Sequence, residues 1–127
     1  MPTLLQRLAW SALCAVTSLA MAAPLPPAAR AEVESVLNEL KASGCQFNRN
    51  GTWYSGTDAQ AHLTQKLTYL ENKRLIQSAE EFIALGASAS SASGKAYQVK
   101  CGNASAVESK LWLSEKLKML RGKPPKV

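Results

Sequence analysis

The chain has 127 residues, of which 46% are hydrophobic and 19% are charged, and its formal net charge is +6 at pH 7. This length allows one domain with a modest hydrophobic core and excludes a chain of several large domains. Most of the basic excess lies in residues 108–127, which are either a solvated helix face followed by a frayed tail or a surface for anionic partners such as lipid headgroups or acidic polymers.

The first 22 residues have the three parts of a secretory signal peptide. Arg7 supplies the positive charge, residues 8–19 form an apolar run, and Ala-Met-Ala at residues 20–22 is a small-x-small cleavage site. The run is short for a bilayer span, so we expect cleavage and no transmembrane segment afterwards. Residues 23–127 would then form a single small domain with a basic C-terminal tail, in the periplasm or secreted. We expect no nucleic-acid partner for such an exported protein.

Cleavage would also remove Cys14 and leave a pair of cysteines, Cys45 and Cys101. Two cysteines allow one intramolecular pairing, and a disulfide between them would stabilise the fold by about 4 kcal/mol. The alternatives are two free thiols or a metal pair. Metal binding is disfavoured because His62 is the only histidine and no Cys-x-x-Cys spacing occurs. We therefore predict a disulfide and no metal.

The first predicted elements are a helix and a hairpin. Three prolines within residues 24–27 form an extended lead-in, and a helix follows over residues 28–43 before Gly44 ends it. Its apolar residues at i, i+3, i+4 and i+7 predict one buried stripe of Val33, Val36, Leu37 and Leu40. Residues 45–54 then predict a hairpin, because Asn50 and Gly51 suit a type I′ turn.

Two helices follow the hairpin. The first is expected to open near Thr57 and Asp58 and to run to about Lys73. Its predicted buried residues are Ala59, Leu63, Leu67 and Leu70. The second is expected to start at Ser78, in a capping box with Glu81, and to end around Gly86 while burying Phe82 and Ile83.

The last third of the chain predicts a serine-rich loop over residues 87–94, a strand over residues 97–101 and a final helix. A second capping box at residues 105–108 is expected to start that helix, with Val107, Leu111, Trp112 and Leu117 as its apolar residues. The predicted fold is α+β, with about four helices packed on a small antiparallel sheet of about three strands. The disulfide would place the last strand beside the first.

Two polar patterns suggest a site. On the second helix, His62, Lys66, Tyr69 and Lys73 recur at i, i+4, i+7 and i+11, and form either a cationic, aromatic binding face or a helix shoulder. The serine loop ending in Ser-Gly-Lys departs from a P-loop at its first glycine, at its last position and in the strand that follows, so we predict no nucleotide cofactor. The loop is then either an anion site or a plain connector.

Five motifs together resemble the YfeK-like family of small exported proteobacterial proteins of unknown function. They are Cys-x-Phe-x-Arg-Asn-Gly-x-Trp-Tyr at residues 45–54, Ala-His-Leu-x-x-Lys at 61–66, Ser-Ala-Glu-x-Phe-Ile at 78–83, Ser-Ser-x-Ser-Gly-Lys-x-Tyr at 90–97 and Trp-Leu at 112–113. The resemblance implies export and no established activity.

These motifs contain more polar residues than a core requires, and they would form one site if the hairpin, second helix and serine loop meet. The candidate ligand-binding residues are Arg49, Asn50, His62, Lys66, Ser91, Ser93 and Lys95. Their donors and positive charge suit a carboxylate or phosphate.

We favour a monomeric binding protein over an enzyme, with an anionic envelope component or a protein as partner and no cofactor. The alternative is a small hydrolase in which His62 is the general base and Ser91 or Ser93 the nucleophile. A purely structural or inhibitory protein, with Trp53, Tyr54 and Trp112 as interface anchors, is the third hypothesis.

Overall fold

The computed structural model describes residues 12, 14–15 and 22–123. The predicted signal peptide therefore lies almost entirely outside the described residues, as does the end of the predicted basic tail. The described part of the chain forms four helices and four strands. In chain order they are α1 (Pro27–Ala42), β1 (Gln46–Arg49), β2 (Thr52–Ser55), α2 (Gly56–Asn72), α3 (Ala79–Gly86), β3 (Gln98–Lys100), β4 (Val107–Glu108) and α4 (Ser109–Arg121).

The strands form one antiparallel sheet in the order β2-β1-β3-β4. Phe47 in β1 lies opposite Tyr54 in β2 on one side and opposite Val99 in β3 on the other. This confirms the α+β fold. The sheet has four strands where about three were expected, because the two residues of β4 were assigned to the last helix.

The hairpin turn has the predicted geometry. Asn50 has a φ of 53° and Gly51 a φ of 84°, so both central residues occupy the left-handed region that a type I′ turn requires. The Gly51 N–H donates to the side-chain oxygen of Asn48 at 3.1 Å. The turn fixes the register that places Arg49 at the end of β1.

The first three helices bury the apolar stripes that their spacing predicts. Ser78 caps α3 as expected, since its hydroxyl accepts the Glu81 N–H at 3.1 Å. α2 begins slightly earlier than expected, at Gly56, and Ser55 is its cap, with its hydroxyl accepting the Asp58 N–H at 3.1 Å. The helix therefore follows β2 without a connecting loop.

Gly56 marks the close approach of α2 to α1. A Cβ at this position would lie 2.5 Å from the Leu40 carbonyl oxygen. Only a residue without a side chain fits there, so the packing of the two helices depends on this glycine.

The expected start of the last helix is wrong, and two of its four expected apolar residues do not face the core, although Leu117 is buried and Trp112 packs partly buried against the core. α4 begins at Ser109, its N-cap is Glu108, and no side chain caps it. Val107 and Leu111 are 42% and 63% exposed, whereas Ser109, Leu113 and Leu117 are buried. The reason is that Val107 pairs with Val99 in the sheet, which delays the start of the helix.

The predicted disulfide between Cys45 and Cys101 is present, with 4.2 Å between the Cα atoms. It joins the residue before β1 to the residue after β3, as expected for adjacent strands. Within the described ranges, none of the helices combines the length and apolar character needed to cross a membrane.

Candidate functional site

A groove with His62 at its centre runs between α2, the hairpin and the serine loop. Three cavities that share lining residues compose it. The central cavity, about 470 Å³, shares Arg49 and His62 with a hairpin-side cavity of about 350 Å³. It shares His62, Lys66 and Ser91 with an apolar-end cavity of about 250 Å³. We refer to the whole as the His62 groove.

The central cavity contains most of the predicted site residues. Its lining is Arg49, Asn50, His62, Lys66, Ser90, Ser91, Ala92 and Tyr97. Five of the seven candidates are therefore brought together. Ser93 and Lys95 are exposed and do not line it.

Secondary structure explains why three of the four basic candidates meet. Arg49 follows the buried Phe47 by two residues on β1, so both side chains lie on the same face of the sheet. His62 and Lys66 are one helical turn apart on α2 and lie beside the buried Leu63. Because α2 packs against the hairpin, these two elements face the same groove.

Lys66 is held at the groove by two hydrogen bonds. Its Nζ donates to the Tyr97 hydroxyl at 3.0 Å and to the Ala89 carbonyl oxygen at 3.3 Å. The Nζ also lies 5.0 Å from the centre of the Tyr97 ring, within cation–π range. The ammonium is thus fixed in position by neutral groups.

Tyr97 is a site residue that the sequence reasoning missed. It is 2% exposed, its ring contacts Phe47 with centroids 5.0 Å apart, and the ring of His62 meets it edge-on at 6.4 Å. A buried tyrosine hydroxyl needs a hydrogen-bond partner, and Lys66 supplies it. The available signal was the alternation of Tyr97 and Val99 with the polar Gln98 and Lys100, which places Tyr97 on the buried face and leaves its hydroxyl in need of a partner.

The serine loop is tied to the hairpin turn through Asn50. The Asn50 amide donates to the Ser90 hydroxyl at 3.1 Å, and the Ser93 hydroxyl donates to the Asn50 side-chain oxygen. The Ser90 hydroxyl also accepts the N–H groups of Ala92 and Ser93. Asn50 and Ser90 thus line the central cavity, and Ser93 contacts Asn50 from outside that lining.

The central cavity has two cations and no carboxylate in its lining. The ion pairs among the described residues join Arg30 and Arg121 to glutamates and do not include Arg49 or Lys66. The Arg49 guanidinium lies 4.9 Å from the centre of the Tyr54 ring. Asp58 lines the neighbouring hairpin-side cavity and is the carboxylate of the groove.

The surroundings of His62 favour its neutral form. Burial is the main cause that lowers the pKa of His62, and the positive charges of Arg49 and Lys66 lower it further. Its Nε2 atom is buried and has no hydrogen-bond partner among the described residues. An unsatisfied polar atom thus belongs to a side chain that feels the positive charge of two cations.

The arrangement does not support the hydrolase alternative. No hydrogen bond joins His62 to Ser91, Ser93 or Asp58 in the described part of the chain, although a catalytic base must reach its nucleophile and its orienting group. The Ser93 hydroxyl is used by Asn50 instead. Among the described residues there is also no group of three or more His, Cys, Asp or Glu side chains that could hold a metal ion.

Comparison with protein-family models gives a match over residues 27–121 to a family described as being of unknown function, DUF5329. The matched region runs from the start of α1 to the end of α4, so it includes the disulfide and the whole His62 groove. No curated protein and no solved structure matches the chain.

Proposed function

Because the chain belongs to DUF5329, a family of unknown function, we propose its role from the groove: the protein binds a small anion between Arg49 and Lys66. One observation carries the proposal. Two cations line a cavity whose lining contains no carboxylate, and the half-buried His62 in the same lining has a buried Nε2 atom without a hydrogen-bond partner among the described residues.

The electrostatics of the groove favour an anion. Arg49 and Lys66 both disfavour a positive charge at His62, so the potential at the imidazole is positive. Keeping like charges together without a counter-ion costs free energy, and an anion between them would recover it. If the two cations only stabilised the fold, we would expect a carboxylate beside them in the lining of the cavity.

The chemistry of the side chains suits a carboxylate, sulfate or phosphate group. Arg49 offers a planar fork of N–H donors for two oxygens, and Lys66 offers a point charge whose position is already fixed by Tyr97. Ser91 is exposed and lines the same cavity, and its hydroxyl would add a neutral donor. Little ordering is needed on binding, since the fold already holds Lys66 in place.

We also propose that the protein is exported and meets its ligand in the cell envelope. The signal-peptide pattern of residues 1–22 and the resemblance to YfeK-like proteins support this. The Cys45–Cys101 disulfide fits an oxidising compartment. Intact mass of the exported protein should correspond to a chain that starts at Ala23, and reduction should add two hydrogen atoms. A mass that includes residues 1–22 would contradict the proposal.

The anion site is tested by titrating the protein with sodium sulfate at constant ionic strength, followed by NMR chemical shifts. The shifts should localise to the groove and saturate. In Arg49→Gln/Lys66→Gln the affinity should fall at least about tenfold, because each charge-assisted hydrogen bond contributes about 1.5–3 kcal/mol.

The matched control is Lys110→Gln/Lys118→Gln, which removes the same charge from exposed positions on α4. It should bind sulfate like the unmodified protein. If both double variants weaken binding equally, sulfate responds to net charge alone and the proposed site is wrong.

A further inference from the structure

We propose that the natural ligand is an organic anion with a short apolar tail, whose charged group lies between Arg49 and Lys66 and whose tail lies against Tyr69 and Leu85. This inference rests on the proposed function and adds the chemical class of the ligand. It follows from the apolar end of the His62 groove, which the anion site alone does not require.

The apolar-end cavity continues directly from the cation pair. It shares His62, Lys66 and Ser91 with the central cavity, and its remaining lining is Gln65, Tyr69, Leu70 and Leu85. A ligand held at Lys66 therefore has an apolar surface beside it. The hairpin-side cavity contains Asp58, which repels an anion, whereas the apolar-end cavity has no carboxylate in its lining.

The apolar residues at this end are left open to solvent. Leu85 is 56% exposed and Tyr69 is 59% exposed, while Phe82 and Ile83 on the same helix as Leu85 are buried. Leu85 thus does not serve the core in which its neighbours pack. Covering it together with Tyr69 would remove apolar surface from water, which is favourable in proportion to the area covered.

α3 is held close to α2 at this point by Gly86. A Cβ on Gly86 would lie 2.8 Å from the Phe82 ring and 3.0 Å from the side chain of Leu70. This close packing positions Leu85 beside the helix that carries Lys66 and Tyr69. The charged and apolar parts of the groove therefore have fixed relative positions, as a ligand with a charged group and a tail requires.

The test is a series of linear carboxylates from acetate to octanoate, each below its micelle concentration, titrated at neutral pH and constant ionic strength. Binding is followed by NMR shifts of His62 and the Leu85 methyl groups. Each added methylene should tighten binding about two- to fourfold, the upper figure being that for full burial. The Leu85 methyl groups should shift only with the longer members.

Substitutions of Leu85 test whether the apolar tail of the ligand binds against this residue. Leu85→Ser should leave acetate binding unchanged and remove most of the gain from acetate to octanoate, whereas Leu85→Met should retain that gain. Leu111→Ser on α4 is the matched control, since Leu111 is 63% exposed and lies on another surface. Thermal unfolding verifies that each variant is folded.

The outcomes separate this inference from the proposed function. If acetate binds but affinity does not rise with chain length, the inference of an apolar tail is overturned, while the proposed anion site is supported. If neither acetate nor sulfate binds, the proposed function fails as well. If Leu111→Ser lowers octanoate binding as much as Leu85→Ser, the carboxylate adsorbs non-specifically and the inference is overturned.

Discussion

At the scale of single residues, His62 differs from an ordinary core histidine because its environment is positive. A core histidine usually has both nitrogens hydrogen-bonded, whereas the buried Nε2 of His62 has no partner in the described part of the chain. Arg49 and Lys66 add positive charge beside it. The residue pattern alone left open whether His62 and Lys66 form a helix shoulder or a binding face, and the position of Arg49 favours the second.

His62 should make stability depend on pH. Because its pKa is lowered in the folded protein, the unfolded chain takes up a proton at a higher pH than the folded protein does. The stability that depends on neutral His62 should therefore be fully present above about pH 6.5. Below that pH the free energy of unfolding should fall. Urea unfolding between about pH 8 and about pH 5.5 measures this.

His62→Gln is the control for that experiment, because it removes the only histidine. Its unfolding free energy should be nearly constant over the same range. Glu32 and Glu80 also have lowered pKa values, caused mainly by hydrogen bonds from Arg121. The stability that these two carboxylates contribute is lost only below about pH 4.5, which lies outside the range of the experiment. An equal slope in the variant and the unmodified protein would show that His62 is not the cause.

At the scale of elements, local signals predict what forms locally. α1, the hairpin and α3 were placed correctly because the apolar spacing, the Asn-Gly turn and the Ser78 cap each act within a few residues. β4 could not be found in this way, because its two residues are defined by pairing with β3. The start of α4 follows from that pairing, so Ser109 and Leu113 were missed as buried residues, whereas Leu117 was expected.

Gly56 gives a prediction for the packing of two elements. Gly56→Ala should lower the free energy of unfolding by about 1–3 kcal/mol, because the new methyl group would press on the Leu40 carbonyl. Helix propensity alone would predict a gain of about 1 kcal/mol, so the sign decides between the two effects. Urea unfolding at neutral pH provides the measurement.

Gly122→Ala is the matched control, since a Cβ there would make only ordinary contacts at 3.6 Å. It should change stability by less than the Gly56 variant. A Gly56→Ala protein as stable as the unmodified one would mean that α1 and α2 can separate at no cost.

At the scale of the whole molecule, the disulfide and the groove depend on the same arrangement of strands. The pairing of β1 with β3 places Cys45 near Cys101, and it also places Arg49 near Tyr97 and the serine loop. The meeting of Arg49, His62 and Lys66 was predictable once hairpin and helix were expected to pack. The roles of Tyr97 and Ser90 were not, because they depend on how the loop folds back.

Replacing both Cys45 and Cys101 by serine should lower the free energy of unfolding by about 4 kcal/mol, since the unfolded chain loses a long closed loop. Replacing the free Cys14 in the full chain should have no such effect. Urea unfolding of the two variants tests this. A loss below about 1 kcal/mol for the double variant would indicate that the noncovalent packing alone determines the fold.

The most direct test of an anion between Arg49 and Lys66 is the titration of the single histidine by NMR, with and without saturating sulfate at equal ionic strength. Without sulfate, the midpoint should lie below about 6.5, because burial and the two cations disfavour the imidazolium. With sulfate bound, the midpoint should rise, because the anion offsets those charges. A bound sulfate that leaves the His62 midpoint unchanged would contradict the account.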